Sequence, residues 1–140
     1  MSWLDHAKGE LARSGHRAGG AREAVLDLLA EQHCCLSAQD IHDRLRGSGR
    51  SVGLASVYRA VDTLTELKLL HRVDVGGTAA YEPAHPTGEH HHHVICDDCG
   101  RIDAFDDTAV ERAIHEAAGR TGFRVDAHEI VLRGTCPDCR

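Results

Sequence analysis

No apolar run in this chain is long enough to cross a bilayer. The opening Met1-Ser2-Trp3-Leu4-Asp5-His6 lacks the basic-then-apolar layout of a secretory leader. A cytoplasmic location without membrane contact is therefore expected, and there paired cysteines hold metal more often than they form disulfides. No internal repeat is present, and no His-Glu-x-x-His motif, which leaves a zinc hydrolase with little support. Proline is scarce, and two of the three prolines fall in the short segment Pro83–Glu89, which reads as a linker. The 140 residues fit one compact domain or two very small ones, and small domains call on a metal or a partner chain for support.

Excess positive charge is also missing. The net charge is −6, and it is uneven: residues 1–75 carry ten Lys/Arg and ten Asp/Glu, whereas residues 76–140 carry six and twelve. An acidic chain argues against nucleic-acid binding. Because the excess acid is confined to the second part, bound cations would offset some of it.

The first part reads as helical. Val25, Leu28 and Leu29 share one face of a segment from Arg22 to Glu31. Ser37 has the character of an N-cap for a helix from Ala38 to Arg46, ended by Gly47-Ser48-Gly49. Leu54, Val57, Val61, Leu64 and Leu67 step by three or four along a further helix, whose other face shows Ala55, Ser56, Arg59, Ala60, Asp62 and Thr63. Two extended runs, Leu70–Val75 and Ala79–Glu82, flank Gly76-Gly77-Thr78 and predict a hairpin. Helices followed by a two-stranded hairpin describe a winged helix-turn-helix over 1–83, with a hinge at 84–89. The remainder, 90–140, predicts extended runs at His90–Ile95, Arg101–Phe105 and Phe123–Leu132 around a helix from Asp107 to Arg120. The expected class is α+β, the winged helix being followed by a small α/β domain.

Two Cys-x-x-Cys pairs bracket that second domain. Cys96 and Cys99, with Cys136 and Cys139, place four thiolates within reach of one tetrahedral ion and leave no ligand position open. Structural Zn(II) is the expected occupant. Just before them stands His90-His91-His92-His93. In an extended strand successive side chains alternate faces, so His90 and His92 point one way and His91 and His93 the other. Each pair spans about 7 Å at Cα, a spacing one metal ion can bridge, which predicts two further sites. Candidate additional ligands are His71, Glu82, His85, Glu111 and His128. His33, Cys34 and Cys35 form another small cluster, but the adjacent cysteines lack clip spacing and read as structural.

Gly53-Leu54-Ala55-Ser56-Val57-Tyr58-Arg59, followed by His90-His91-His92-His93-Val94-Ile95-Cys96-Asp97-Asp98-Cys99-Gly100, resembles the ferric uptake regulator family, possibly its zinc-uptake branch. The likeness runs from Arg22 to Cys139. It implies a homodimer with an N-terminal winged helix and a C-terminal dimerisation domain, which binds palindromic double-stranded operator DNA and represses transcription when its regulatory site is filled. By the same resemblance that site uses His71, Glu82, His91 and His93, with His85 as a substitute for Glu82. A second site uses His90, His92, Glu111 and His128, and Ser56, Tyr58 and Arg59 belong to the recognition helix. The regulatory metal is Zn(II) or Fe(II), with the imidazole-rich donor set favouring zinc. Where iron-type members place a histidine before the third helix this chain has Cys35, and the acidic ligand of peroxide-sensing members is replaced by Ala104. Ala18-Gly19-Gly20 replaces the usual basic and threonine-containing approach to the first DNA-binding helix. The competing reading is a metal-storage or chaperone protein without DNA contact.

Overall fold

Trp3, Ala7 and Leu11 recur every fourth residue and line the buried face of a first helix, α1 (Trp3–Arg13). The Ser2 hydroxyl caps it by accepting from the Asp5 backbone N–H, and the Trp3 indole donates to the Leu69 carbonyl at 2.9 Å. Sequence periodicity did not announce this helix, because its interior alternates Ala, Lys and Gly with few large apolar residues. The computed structural model describes residues 2–16, 20–32, 35–85 and 91–140, so His33, Cys34 and His90 lie outside the described residues.

Helix α2 (Gly20–Ala30) buries Ala24, Val25, Leu26 and Leu29, and a two-residue strand β1 (Leu36–Ser37) leads into α3 (Ala38–Gly47). Ser37 caps α3 in a reciprocal box with Asp40, as its position predicts. Helix α4 (Leu54–Glu66) buries Val57, Ala60, Val61 and Leu64. Ala60, expected on the outer face, is instead 2% exposed, since its small side chain allows a close approach to neighbouring helices. The hairpin forms as β2 (Leu70–Val75) and β3 (Thr78–Pro83), and β1 adds a third strand in the order β1-β3-β2. Leu36, Leu70 and Tyr81 join the helices in one apolar cluster, so one face of this wing sheet packs on the helices.

In the second unit β4 (His92–Cys96) is the central strand. It pairs antiparallel with β5 (Ile102–Phe105) and parallel with β6 (Val131–Gly134). Helix α5 (Thr108–Thr121) starts on Asp107, whose carboxylate accepts from the backbone of Ala109 and Val110, and ends at Gly122 with φ of +75°. The expected strand Phe123–Leu132 is corrected: regular pairing begins only at Val131. Its alternating apolar residues satisfy a strand pattern, but among the described residues 123–130 take no ladder partner within this chain. The chain divides into Met1–His90 and His91–Arg140, and the described residues contain no helix long and apolar enough to cross a membrane.

The junction of α4 and β2 carries a strained residue. Lys68 has φ of +60° while its N–H and that of Leu69 bond back to Thr65 and Leu64, both at 2.9 Å. That is the left-handed helix end usually given to glycine. Lys68→Gly should stabilise the protein by about 1 kcal/mol through relief of Cβ crowding, read as a higher urea midpoint for the zinc-loaded protein. An unchanged or lower midpoint would contradict this account of the junction.

Candidate metal centres and the exposed helix

The two Cys-x-x-Cys turns meet because β4 and β6 run parallel, so Cys96 and Gly134 are partners at the same end of the sheet. The ligand atoms of Cys96, Cys99, Cys136 and Cys139 all lie within 4.8 Å of one another. The Sγ atoms of Cys99 and Cys136 are 3.8 Å apart. Four sulfurs each about 2.3 Å from one zinc ion stand about 3.8 Å from each other, whereas a disulfide requires about 2.0 Å. These four cysteines are thiols rather than disulfides, and the cluster has the dimensions of a closed tetrahedral metal site.

Local backbone groups bias these thiols. The N–H of Cys136 and that of Cys99 donate to Cys96 Sγ at 3.3 and 3.5 Å, and with them the Cys96 thiol is lowered to about 6. The crowding sulfurs of Cys136, Cys99 and Cys96 push the Cys139 thiol up to about 12. Four thiolates cannot share this space without a cation, and a divalent ion removes that obstacle. Arginines brace both turns. Arg133 donates to Asp97 at 2.6 Å, and Arg101 reaches Asp138 at 3.3 Å.

The pleat of β4 separates the described histidines. The His92 Nε2 is hydrogen-bonded to Glu111 Oε1, and His128 Nε2 lies 2.8 Å from Glu111 Oε2. The rings of His92 and His128 are 5.1 Å apart, with Phe105 5.7 Å from His92. One carboxylate thus holds two imidazoles, all three ligand atoms lying within 4.8 Å of one another. A divalent ion with bonds of about 2.0–2.2 Å would replace the two hydrogen bonds, the imidazoles drawing back from the carboxylate until the donors stand about 3.3–3.5 Å apart. Ile130 N–H donates to His92 Nδ1 at 3.3 Å, which in the metal-free neutral ring places the proton on Nε2, facing Glu111.

His91 and His93 project to the other side of β4, their ring centroids 5.1 Å apart. Within the first unit, His71 stands directly opposite Glu82 in the β2–β3 register, and Glu82 is 3% exposed. His85 lies beyond the end of β3 and is exposed. Cys35, read from the sequence as structural, is buried with its Sγ within 4.8 Å of a Glu82 carboxylate oxygen, a neighbour that the sequence did not point to. The missed signal was tertiary: β1 is too short to register as a strand.

On α4, Tyr58 is 48% exposed, and Arg59 is exposed with its guanidinium donating to the Ser56 hydroxyl at 3.0 Å. The buried stripe fixes the helix while this face is left to solvent. The sulfur geometry predicts that Cys139→Ser removes about one zinc ion per chain, measured by elemental analysis. Amide exchange should then quicken across 91–140 and stay slow in the first unit. Full zinc content in the variant would exclude the four-sulfur site.

A match to the ferric uptake regulator family covers residues 13–133. The ferric uptake regulation protein of Neisseria meningitidis is 33% identical over 135 residues, spanning 94% of this chain and 91% of its own. That of Escherichia coli is 34% identical over 135 residues, spanning 93% and 89%. Among solved structures, the Helicobacter pylori ferric uptake regulator Fur aligns with a TM-score of 0.81 at 25% identity, covering 98% of this chain and 91% of that one. The Vibrio cholerae ferric uptake regulator aligns at 0.79 and 28% identity, covering 90% and 96%. With its winged helix, metal-ligand clusters and whole-length relatives together, this chain belongs to the ferric uptake regulator family of metal-responsive transcriptional regulators.

Proposed function

We propose that the protein is a cytoplasmic, metal-dependent repressor that binds palindromic operator DNA as a homodimer and controls metal uptake, with zinc favoured over iron as the sensed metal. The observation that carries this reading is the His92–Glu111–His128 cluster, built on a buried imidazole, in a chain whose first unit is a winged helix. In this reading the four cysteines hold structural Zn(II). Regulatory metal binds His71, Glu82 (or His85), His91 and His93, and a second site uses His90, His92, Glu111 and His128. The H. pylori relative is described as having three functional metal-binding sites, and the V. cholerae relative as having DNA-binding domains that rearrange. Transferring both properties to this chain is part of the proposal.

Metal binding would tie the wing to the second unit and restrict the angle between the two winged helices of a dimer. Both recognition helices then reach half-sites about 34 Å apart, one turn of DNA. Without metal, DNA binding carries the entropic cost of ordering the heads. Arg59 would contact guanine or phosphate, Tyr58 would pack on backbone or a thymine methyl, and Ser56 would support Arg59. Homodimerisation is supported by exposed apolar residues. None of the described residues of α5 is buried, and Phe123, Val125 and Leu132 are 80%, 49% and 51% exposed.

The test is an electrophoretic shift with DNA fragments selected from the host genome on the metal-loaded protein. Binding is expected with Zn(II) and lost on chelation. Arg59→Ala should weaken it about 10- to 100-fold, from the roughly 1–3 kcal/mol of a good base contact, while metal content stays unchanged. Binding that ignores metal would end the sensing proposal, and undiminished affinity in Arg59→Ala would end the assignment of α4.

A further inference from the structure

The wing sheet has two faces with different contents. Leu36, Leu70 and Tyr81 pack on the helices. By strand alternation the opposite face carries the residues between them. Leu36 pairs with Tyr81 and Ser37 with Ala80, so Cys35, one residue earlier, continues the register opposite Glu82. On its other side Glu82 pairs with His71. Glu82 and His71 are neighbours across β3 and β2, and Cys35, just ahead of β1, falls at the same level, on the face turned away from the helical core. Cys35 is 4% and Glu82 3% exposed, and thiol and carboxylate come within 4.8 Å. Thiol and carboxylate are close enough to share one ion, and the register sets His71 beside Glu82 on the neighbouring strand as a donor of a third chemistry.

We infer that Cys35 is a thiolate ligand of the regulatory metal, joining Glu82 and His71 in place of His85, and that it selects Zn(II) over Fe(II) and Mn(II). The inference rests on the regulatory site proposed above. Zn(II) accepts sulfur, nitrogen and oxygen donors in one tetrahedral shell, whereas a thiolate adds little for the harder Mn(II). Metal binding needs the thiol deprotonated, so zinc displaces the Cys35 proton to solvent as the Zn–S bond forms. His85 is exposed beyond the end of β3, outside this row.

The experiment uses the full-length reduced protein with its four-cysteine site kept filled with zinc, verified by elemental analysis, and Co(II) titrated into the remaining sites. Co(II) bound to a thiolate gives a near-ultraviolet sulfur-to-metal absorption that imidazole and carboxylate ligands do not produce. The wild type should show it, and Cys35→Ser should lose it, with zinc affinity reduced at least tenfold and Mn(II) affinity changed less. Cys35→His, which restores a ligand of another kind, should retain Co(II) binding without the sulfur band and shift preference towards Fe(II). If Cys35→Ser keeps both the band and the zinc affinity while His93→Ala abolishes binding, the thiolate assignment is overturned and the regulatory site stands. If His91→Ala and His93→Ala leave the band and the affinity untouched, the regulatory site as proposed fails, and the selection argued for Cys35 fails with it.

Discussion

The pleat of β4 is the constraint on which the metal chemistry depends. Because β4 is held between β5 and β6, its rotation about its own axis is fixed by hydrogen bonds on both edges. His92 is thereby committed to the side of Glu111 and His128, and His91 and His93 to the other. A one-residue slip would exchange the two sets, so register protects the separation of the sites as firmly as it protects a core. The same strand ends in Cys96, and its parallel pairing with β6 brings the second cysteine turn to the first. One strand therefore organises the ligands of two clusters.

The second unit has little else to hold it. Ile95, Cys96, His92 and His93 are its buried residues, and its helix contributes none among those described. A sheet of three short strands with so small an apolar interior is marginal by itself. Metal bound at the four cysteines would supply what packing lacks. A four-sulfur zinc site carries apparent binding free energies of about 10–16 kcal/mol in small zinc peptides, larger than most domains' net stability. The exposed apolar side chains Phe123 and Leu132 indicate that burial in this unit is completed from outside the chain.

Much of the fold was legible because local signals and tertiary demands agree. The stripe Val57, Val61 and Leu64 is both helix-periodic and buried, the Ser37–Asp40 box starts α3 where predicted, and the glycine-marked hairpin forms with β2 at its expected bounds. Cysteine spacing and histidine alternation exposed two ligand clusters because coordination geometry imposes its own period. What escaped has a physical reason in each case. Helix α1 is held by Ala7 and by an indole bond to Leu69, a long-range contact without a local pattern. Strand β1 has two residues, too few to show alternation, and with it the placement of Cys35 beside Glu82 was hidden. The segment before Val131 has a strand's pattern but no ladder partner among the described residues, and pattern alone cannot supply one.

The acidity of the chain bears on DNA binding through its distribution. At physiological salt a charge is felt over about 8 Å, so a helix lying on a phosphate backbone responds to its own face far more than to the total of −6. The residues up to 75 are neutral overall, and α4 exposes Arg59 beside a serine. The acidic remainder includes Glu111, which is occupied by two imidazoles, and Asp97 and Asp138, which are paired with arginines. Those three of its twelve acidic side chains therefore serve ligand-cluster and cysteine-turn geometry. A neutral DNA-binding unit gains less from non-specific phosphate attraction than a basic one, so its affinity must draw more on base contacts and on fixing two heads in register. In the proposed repressor, occupancy by metal would then be decisive: where electrostatic attraction is weak, the entropy saved by ordering the heads is a larger share of the binding free energy.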